Sequence, residues 1–263
     1  MSETFLDKIV AKTHKRVASA KRDVDPSGIK SNAAQVRSRA EPHRFRRALK
    51  RTGRTHIIAE IKRASPSKGI INADIDVAEV ARSYESGGAA AISVLTETEF
   101  FGGSLTDLTV VSQTAKIPIL RKDFIVDEYQ IYEAAAFGAD AVLLIVAALS
   151  EEELIRFQLL TQDELGMDTL VEVHTSEDLA VATEIGANII GVNNRDLRSL
   201  EVSLDVSRRL IAGRPANTLM ISESGLSTQD EIEELKGLGF NGFLIGETLM
   251  RTGNASDMLG GWI

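Results

Sequence analysis

Not one cysteine occurs in the 263 residues of this chain. That absence removes disulfides, thiolate nucleophiles, iron–sulfur clusters and cysteine-held zinc together, and it agrees with a reducing compartment. Proline is scarce, at five residues, and aromatic side chains make up only 5% of the chain. The four histidines, His14, His43, His56 and His174, show no H-x-x-x-H spacing, and no carboxylate cluster resembles a metal site. No metal is expected. Long apolar runs are also missing. The most apolar stretch, Ala139–Leu149, has 11 residues, contains Asp140 and is too short to span a bilayer. The N-terminus mixes charge with apolar residues and lacks the apolar centre of a signal peptide. A cytoplasmic protein with no membrane partner is the expectation.

What remains has ordinary globular proportions, 43% apolar and 26% charged. The charge is unevenly spread. Residues 1–56 carry 15 Lys and Arg against five Asp and Glu, whereas the remainder carries 15 against 33. A basic arm on an acidic body either binds nucleic acid or packs on that body near an anionic ligand. Phe5 and Phe45 are the only aromatics of the arm, which is not the interleaved stacking surface of a single-strand binder. Packing is the stronger reading, and no nucleic-acid partner is expected.

From His56 onward, eight short apolar runs alternate with helical patterns: Ile57–Ile61, Ala91–Leu95, Ile117–Leu120, Ala141–Val146, Thr169–Val173, Ile189–Val192, Thr218–Ile221 and Gly242–Ile245. Their lack of polar alternation suits parallel strands covered on both faces. Helix starts are marked by Ser150…Glu153, and more weakly by Thr175…Asp178 and Ser227…Asp230. Helix stops are marked by Gly87-Gly88, Gly138, Gly186 and Gly239. These stops recur about every 50 residues, so each interval holds two βα units. Four intervals give an α/β protein of (β/α)8 TIM-barrel type. An open doubly wound sheet is the alternative, but no G-x-G-x-x-G follows the first run. The chain reads as a single domain. Residues 57–263 form the barrel and residues 1–56 a helical extension covering one barrel end. Phe5, Leu6, Ile9, Val10 and Val17 share one helical face, His43–Arg51 offer a second helix, and Asp25-Pro26-Ser27-Gly28 suggest a turn.

Active sites of such barrels lie at the C-terminal ends of the strands. After the first run, Glu60 and Lys62 share a strand face opposite Ile61, which points them into the barrel. Unpaired charges there are costly, so they pair with each other or meet a polar ligand. Lys122, of the same parity as Leu120 and Phe124, is a second inward lysine. Apolar walls and a nearby cation would depress its pKa toward that of a useful general acid. Glu172 is a carboxylate at the end of the fifth run, with His174 beyond it as a rim or capping residue. Asn193 ends the sixth. Ser224-Gly225 and Gly246-Glu247 follow the seventh and eighth, where backbone N–H groups and a helix N-terminus can hold a phosphate. The composition suits proton transfers on a phosphorylated carbon skeleton, without metal or nucleotide cofactor.

At this point whole strings become specific. Ala59–Gly69, Phe100–Ser104, Leu120–Ile125, Val192–Leu197 and Ser222–Gly225 resemble, in order, the blocks of the indole-3-glycerol phosphate synthase family. The resemblance covers nearly the whole chain. It implies ring closure, decarboxylation and dehydration of 1-(2-carboxyphenylamino)-1-deoxyribulose 5-phosphate, with no cofactor. It further implies Lys122 as general acid, Glu172 and Lys62 for dehydration, Glu60 as base or partner, and Asn193 on substrate hydroxyl or carboxylate groups. Ser65 would lie beside them, and Phe101 and Phe124 would line the aromatic pocket. Ser224, Gly225, Gly246 and Glu247 would hold the phosphate, with Arg195 shaping that rim. Glu247 fits only through its backbone, since its carboxylate would repel the phosphate. A Schiff-base aldolase using Lys62 or Lys122 is an alternative, as is a nucleic-acid binder acting through the basic arm. The expected partner is a small phosphorylated substrate, and the expected state a monomer.

Overall fold

The computed structural model describes residues 4–263. Eight parallel strands close into a barrel: β1 (Ile57–Ile61), β4 (Ala91–Leu95), β5 (Ile119–Lys122), β6 (Ala141–Ile145), β7 (Asp168–Val173), β8 (Ile189–Asn193), β9 (Leu219–Glu223) and β10 (Gly242–Ile245). Each pairs with the next, and the ring closes where Ile57 of β1 sits opposite Phe243 of β10. The remaining strands, β2 (Ala64–Ser65) and β3 (Gly69–Ile70), form a small antiparallel ribbon above β1.

The strand–helix connections are those of a (β/α)8 barrel. The outer helices are α4 (Val77–Ser86), α5 (Leu105–Thr114), α6 (Glu128–Ala136), α7 (Glu151–Leu159), α8 (Ser176–Glu184), α9 (Asp205–Leu210), α10 (Gln229–Leu238) and α12 (Ala255–Trp262). A short extra helix, α11 (Glu247–Arg251), follows the last strand. Local chemistry starts and stops these helices. Ser150 and Glu153 form a reciprocal capping box, as do Thr175 and Asp178. At α10 the box is Thr228 with Glu231, one residue beyond the expected pair, because Glu231 also takes the Ser227 N–H. Gly88, Gly138, Gly186 and Gly239 all adopt positive φ at helix ends, as the stop signals require.

Strand ends differ from the apolar runs in one systematic way. The third run begins at Ile117, yet β5 begins at Ile119, past Pro118, which has no N–H to give. At their C-terminal ends β5, β8 and β9 continue through Lys122, Asn193 and Glu223. The polar residues that end a hydrophobic run therefore still lie in the sheet.

Two apolar layers follow from strand alternation. Outward residues such as Ile61, Ile92, Val142, Val171 and Ile190 pack under the helices. Inward residues such as Ile58, Leu120, Leu143, Leu170, Ile221 and Leu244 fill the barrel.

The extension is three helices, α1 (Phe5–Asp23), α2 (Pro26–Arg37) and α3 (Arg44–Ala48). The expected turn at Asp25–Gly28 is instead a helix start. Asp25 caps α2 and Pro26 occupies its first turn, where a missing N–H does no harm. The second predicted helix is shorter than His43–Arg51. The extension also covers more than one end. α3 and the residue that follows it close the bottom of the barrel with buried Phe45 and Leu49, while Phe5 of α1 reaches the opposite mouth. Its cations meet acids of the body. Arg44 pairs with Asp140 at 3.2 Å, Arg16 with Asp123 at 2.6 Å and Lys21 with Asp127 at 2.6 Å. Arg37 also reaches Asp140, at 3.6 Å. No described helix is long and apolar enough to cross a membrane.

Candidate active site

Strand parity builds the site. Two residues beyond the inward apolar layer, the same faces present Glu60 after Ile58, Lys122 after Leu120, Glu172 after Leu170 and Glu223 after Ile221. These side chains converge at the C-terminal mouth on a cavity of about 870 Å³. Its floor is hydrocarbon and its walls are charged.

Lys122 is the hub. Its Nζ lies 3.2 Å from Glu172 Oε2 and 3.1 Å from Glu223 Oε2. Burial by itself would push the ammonium's pKa down, but Glu223, Glu172 and Glu60 together outweigh it and hold the group above the usual lysine range. The expectation of a depressed pKa is thus overturned, because carboxylates rather than a second cation surround the amine. Burial raises the Glu172 carboxyl, yet Lys122 and then His174 reverse this and hold it below the ordinary range. Glu223 is pushed up to about 7, by burial first, with Lys122 opposing and Glu172 reinforcing. Apart from the Lys122 ammonium, neither Glu223 oxygen has a polar partner. It lies over Gly191, where a Cβ would come within 1.9 Å of its Oε1.

On the other side of the mouth, Lys62 Nζ donates to Glu60 Oε1 at 2.7 Å. Burial would raise the Glu60 carboxyl, but Lys62 and Lys122 bring it below its ordinary value. This pair depends on Gly246, since a Cβ there would stand 2.5 Å from Glu60 Oε1 and 3.0 Å from Lys62 Nζ. Asn193 Oδ1 accepts from Ser224 Oγ at 2.9 Å and from the Arg195 N–H at 3.0 Å, which links β8 to the turn after β9.

Support for Lys122 comes from its outward neighbours. Arg121 donates to Asp123 Oδ2 at 3.0 Å, to Thr96 Oγ1 at 3.0 Å and to Glu133 Oε2 at 3.2 Å. Buried on all sides, this network fixes β5 and so aims the lysine between Arg121 and Asp123.

The rim is polar and glycine-rich. Ser224 and Gly225 both adopt positive φ, at 68° and 80°. Gly246 precedes α11 with no side-chain cap, so the first turn keeps N–H groups free of side-chain acceptors. The Glu247 side chain pairs with Arg251 at 3.1 Å, one turn along α11. Arg195 donates to Ser67 Oγ and to the Leu200 carbonyl, both at 2.9 Å, pinning the ribbon loop to the loop after β8. Phe101 and Phe124 stack at a tilt, 6.4 Å between ring centres, and Ser65 is buried nearby with its hydroxyl unpartnered.

This arrangement agrees with what the chain resembles. The family model for indole-3-glycerol phosphate synthase matches residues 6–259. An indole-3-glycerol phosphate synthase of Lachnoclostridium phytofermentans is 46% identical over 265 positions, covering 97% of this chain and 97% of its own. One from Endomicrobium trichonymphae is 47% identical over 255 positions, covering 97% and 98%. The chain belongs to the indole-3-glycerol phosphate synthase family. A solved thiamine phosphate pyrophosphorylase from Pyrococcus furiosus is similar in fold alone, with a TM-score of 0.58 and 15% identity over 79% of this chain and 93% of its own.

All the residues that the family resemblance singled out line this one cavity: Glu60, Lys62, Ser65, Phe101, Lys122 and Phe124, then Glu172, Asn193, Arg195, Ser224, Gly225, Gly246 and Glu247. Sequence reasoning missed Glu223. The signal was present, since Leu219, Ile221 and Glu223 alternate on one face, but reading the run as ending at Ile221 hid it. It read His174 as a rim or capping residue, and the His174 N–H does join the α8 cap at Asp178. The ring is instead largely buried, with Nε2 3.4 Å from Glu172 Oε1.

Proposed function

We propose that the chain converts 1-(2-carboxyphenylamino)-1-deoxyribulose 5-phosphate into indole-3-glycerol phosphate, carbon dioxide and water at this mouth. The carboxy-lyase activity is that of the family. The residue roles rest on the geometry above.

Lys122 supplies the first proton. As the aromatic carbon attacks the ketone, negative charge grows on the former carbonyl oxygen, and an ammonium aimed there stabilises that state. Held protonated by its carboxylates, Lys122 enters the reaction in its acid form. That same condition argues against a Schiff-base aldolase, which needs a neutral amine as nucleophile. Glu223, with a pKa near neutrality and 3.1 Å from Nζ, is placed to return a proton to the lysine.

Decarboxylation follows without further help, because the iminium formed on ring closure accepts the electrons of the departing carboxylate. Dehydration then needs a base at the new ring and an acid at the leaving hydroxyl. Glu172 serves as that base and Lys62 as that acid, with Glu60 holding Lys62 in place. Asn193 and Ser65 offer hydrogen bonds to substrate oxygens, and Phe101 and Phe124 receive the anthranilate ring. The phosphate rests on the backbone of the Ser224-Gly225 and Gly246-Glu247 turns, with Arg195 at its edge and the Glu247 carboxylate drawn aside by Arg251.

The observation that carries this reading is one ammonium wedged between two buried carboxylates and open to a cavity with a glycine-built anion rim. Fluorescence detection of the indole product, with chelator present, tests it. Turnover undiminished by chelator is expected. Absence of turnover in a chain whose circular dichroism is intact would overturn it.

A further inference from the structure

We infer that His174 is a positioning residue for Glu172, holding the carboxylate oxygen that Lys122 leaves free. The inference rests on the proposed role of Glu172 as dehydration base.

Glu172 has two oxygens with separate surroundings. Oε2 faces Lys122 at 3.2 Å, while Oε1 faces His174 Nε2 at 3.4 Å. The imidazole is therefore the counterpart of the lysine on the far side of the carboxylate. Its place follows from parity, because Leu170, Glu172 and His174 alternate along the same strand direction. Both ring nitrogens are buried and have no hydrogen-bond partner. A buried polar nitrogen without a partner costs free energy, so an unmade bond at such a site calls for an occupant or a movement. Contacts of this kind tighten when substrate closes a site. The nearest acceptor is Glu172 itself.

The groups facing the ring come from three elements. They are Glu172 on β7, Asp178 on α8, whose Oδ2 lies 4.0 Å from Nδ1, and Asp196 in the loop after β8. Lys122 and Glu223 stand beyond Glu172. Asp178 is already engaged, accepting from the backbone N–H groups of His174 and Thr175 at 2.9 and 3.1 Å. That bond ties the strand end to the helix cap and fixes where the ring starts. An Nε2–H aimed at Oε1 favours the charged carboxylate whether the ring is neutral or cationic. It also fixes the plane of the carboxylate, with Oε2 on Lys122 and Oε1 on the ring.

The test is the pH dependence of kcat. Losing the donor raises the pKa of Glu172, so the acid limb of the profile in His174→Ala moves to higher pH, by about half a unit or more. At the pH optimum kcat falls about tenfold, with KM within about threefold. His174→Gln places an amide N–H near the Nε2 position and restores both. An acid limb that stays at its wild-type position in a folded His174→Ala overturns the inference, whatever happens to kcat. Should that variant fail to melt cooperatively, His174→Gln decides alone. Its kcat within about threefold of wild type supports the inference, and a larger loss overturns it. Glu172→Gln, run alongside, separates the two claims. Normal turnover there removes the role of Glu172 itself. A crippled Glu172→Gln beside an unmoved His174→Ala profile removes only that of His174.

Discussion

Among the side chains, Lys122 and its carboxylates carry the clearest expectations. Lys122→Ala removes the ammonium proposed to meet the growing oxyanion, and Glu172→Gln removes the proposed base. Each lowers kcat by about 10² or more while the fold survives, because both sit in the mouth and not in the packed layers. Steady-state kinetics paired with thermal melts checks this. Glu223 gives a sharper test, through stability. Its folded pKa of about 7 lies above the ordinary glutamate value of 4.5. The folded state thus binds the proton more tightly than the unfolded one, and stability from this group is full below pH 4.5 and lost as pH rises through 7. Glu223→Gln, which never charges, therefore gains on wild type between those limits by up to ~3 kcal/mol. Denaturant midpoints for both proteins at pH 5 and pH 8 measure it, and a pH-independent difference would contradict it. The sequence displayed Glu60, Lys122 and Glu172 because each follows an apolar residue by two positions, and Lys62 because it follows Glu60 on the same face. It could not display the sign of the Lys122 shift, since that depends on three acids brought from β1, β7 and β9 by closure of the sheet.

Individual elements divide into those that hold and those that receive. The turns after β9 and β10 are the proposed receivers of the phosphate. At Gly225 the backbone has φ 80° and a Cβ would come within 2.6 Å of Val202, so Gly225→Leu distorts the rim at the proposed phosphate site. A rise chiefly in KM is expected, and a change confined to kcat would displace the phosphate from this turn. Gly246→Ala acts differently, because its methyl meets Glu60 and Lys62 and so disturbs the ion pair as well as the rim. A lowered kcat together with a raised KM is the expected kinetic signature. Strands and helix ends were legible in the sequence because each element buries apolar surface at its own period. The ribbon of β2 and β3 was not. Its residues 66–70 carry little apolar periodicity, and it is held by Arg195 on Ser67, a contact between loops 128 positions apart.

For the molecule as a whole, the basic extension and the acidic barrel complete one another. Phe45 of α3 is fully buried against the barrel floor, far from the mouth. Phe45→Ala is expected to cost about 3–5 kcal/mol in stability, read as a lowered melting temperature, with kcat unchanged below the transition. A fall in kcat without loss of stability would show the two ends to be coupled. The same plugged floor has a consequence for traffic. Ile58, Leu120, Leu143, Leu170, Ile221 and Leu244 seal the interior beneath the carboxylates, and α3 seals it again below. Inward residues change from hydrocarbon to charge within two positions along a strand, about 7 Å. In the proposed reaction, carbon dioxide and water formed above that floor leave through the mouth by which the substrate entered. The proposed phosphate rim lies at that same mouth, so the two small molecules share their way out with the site that would hold the large one.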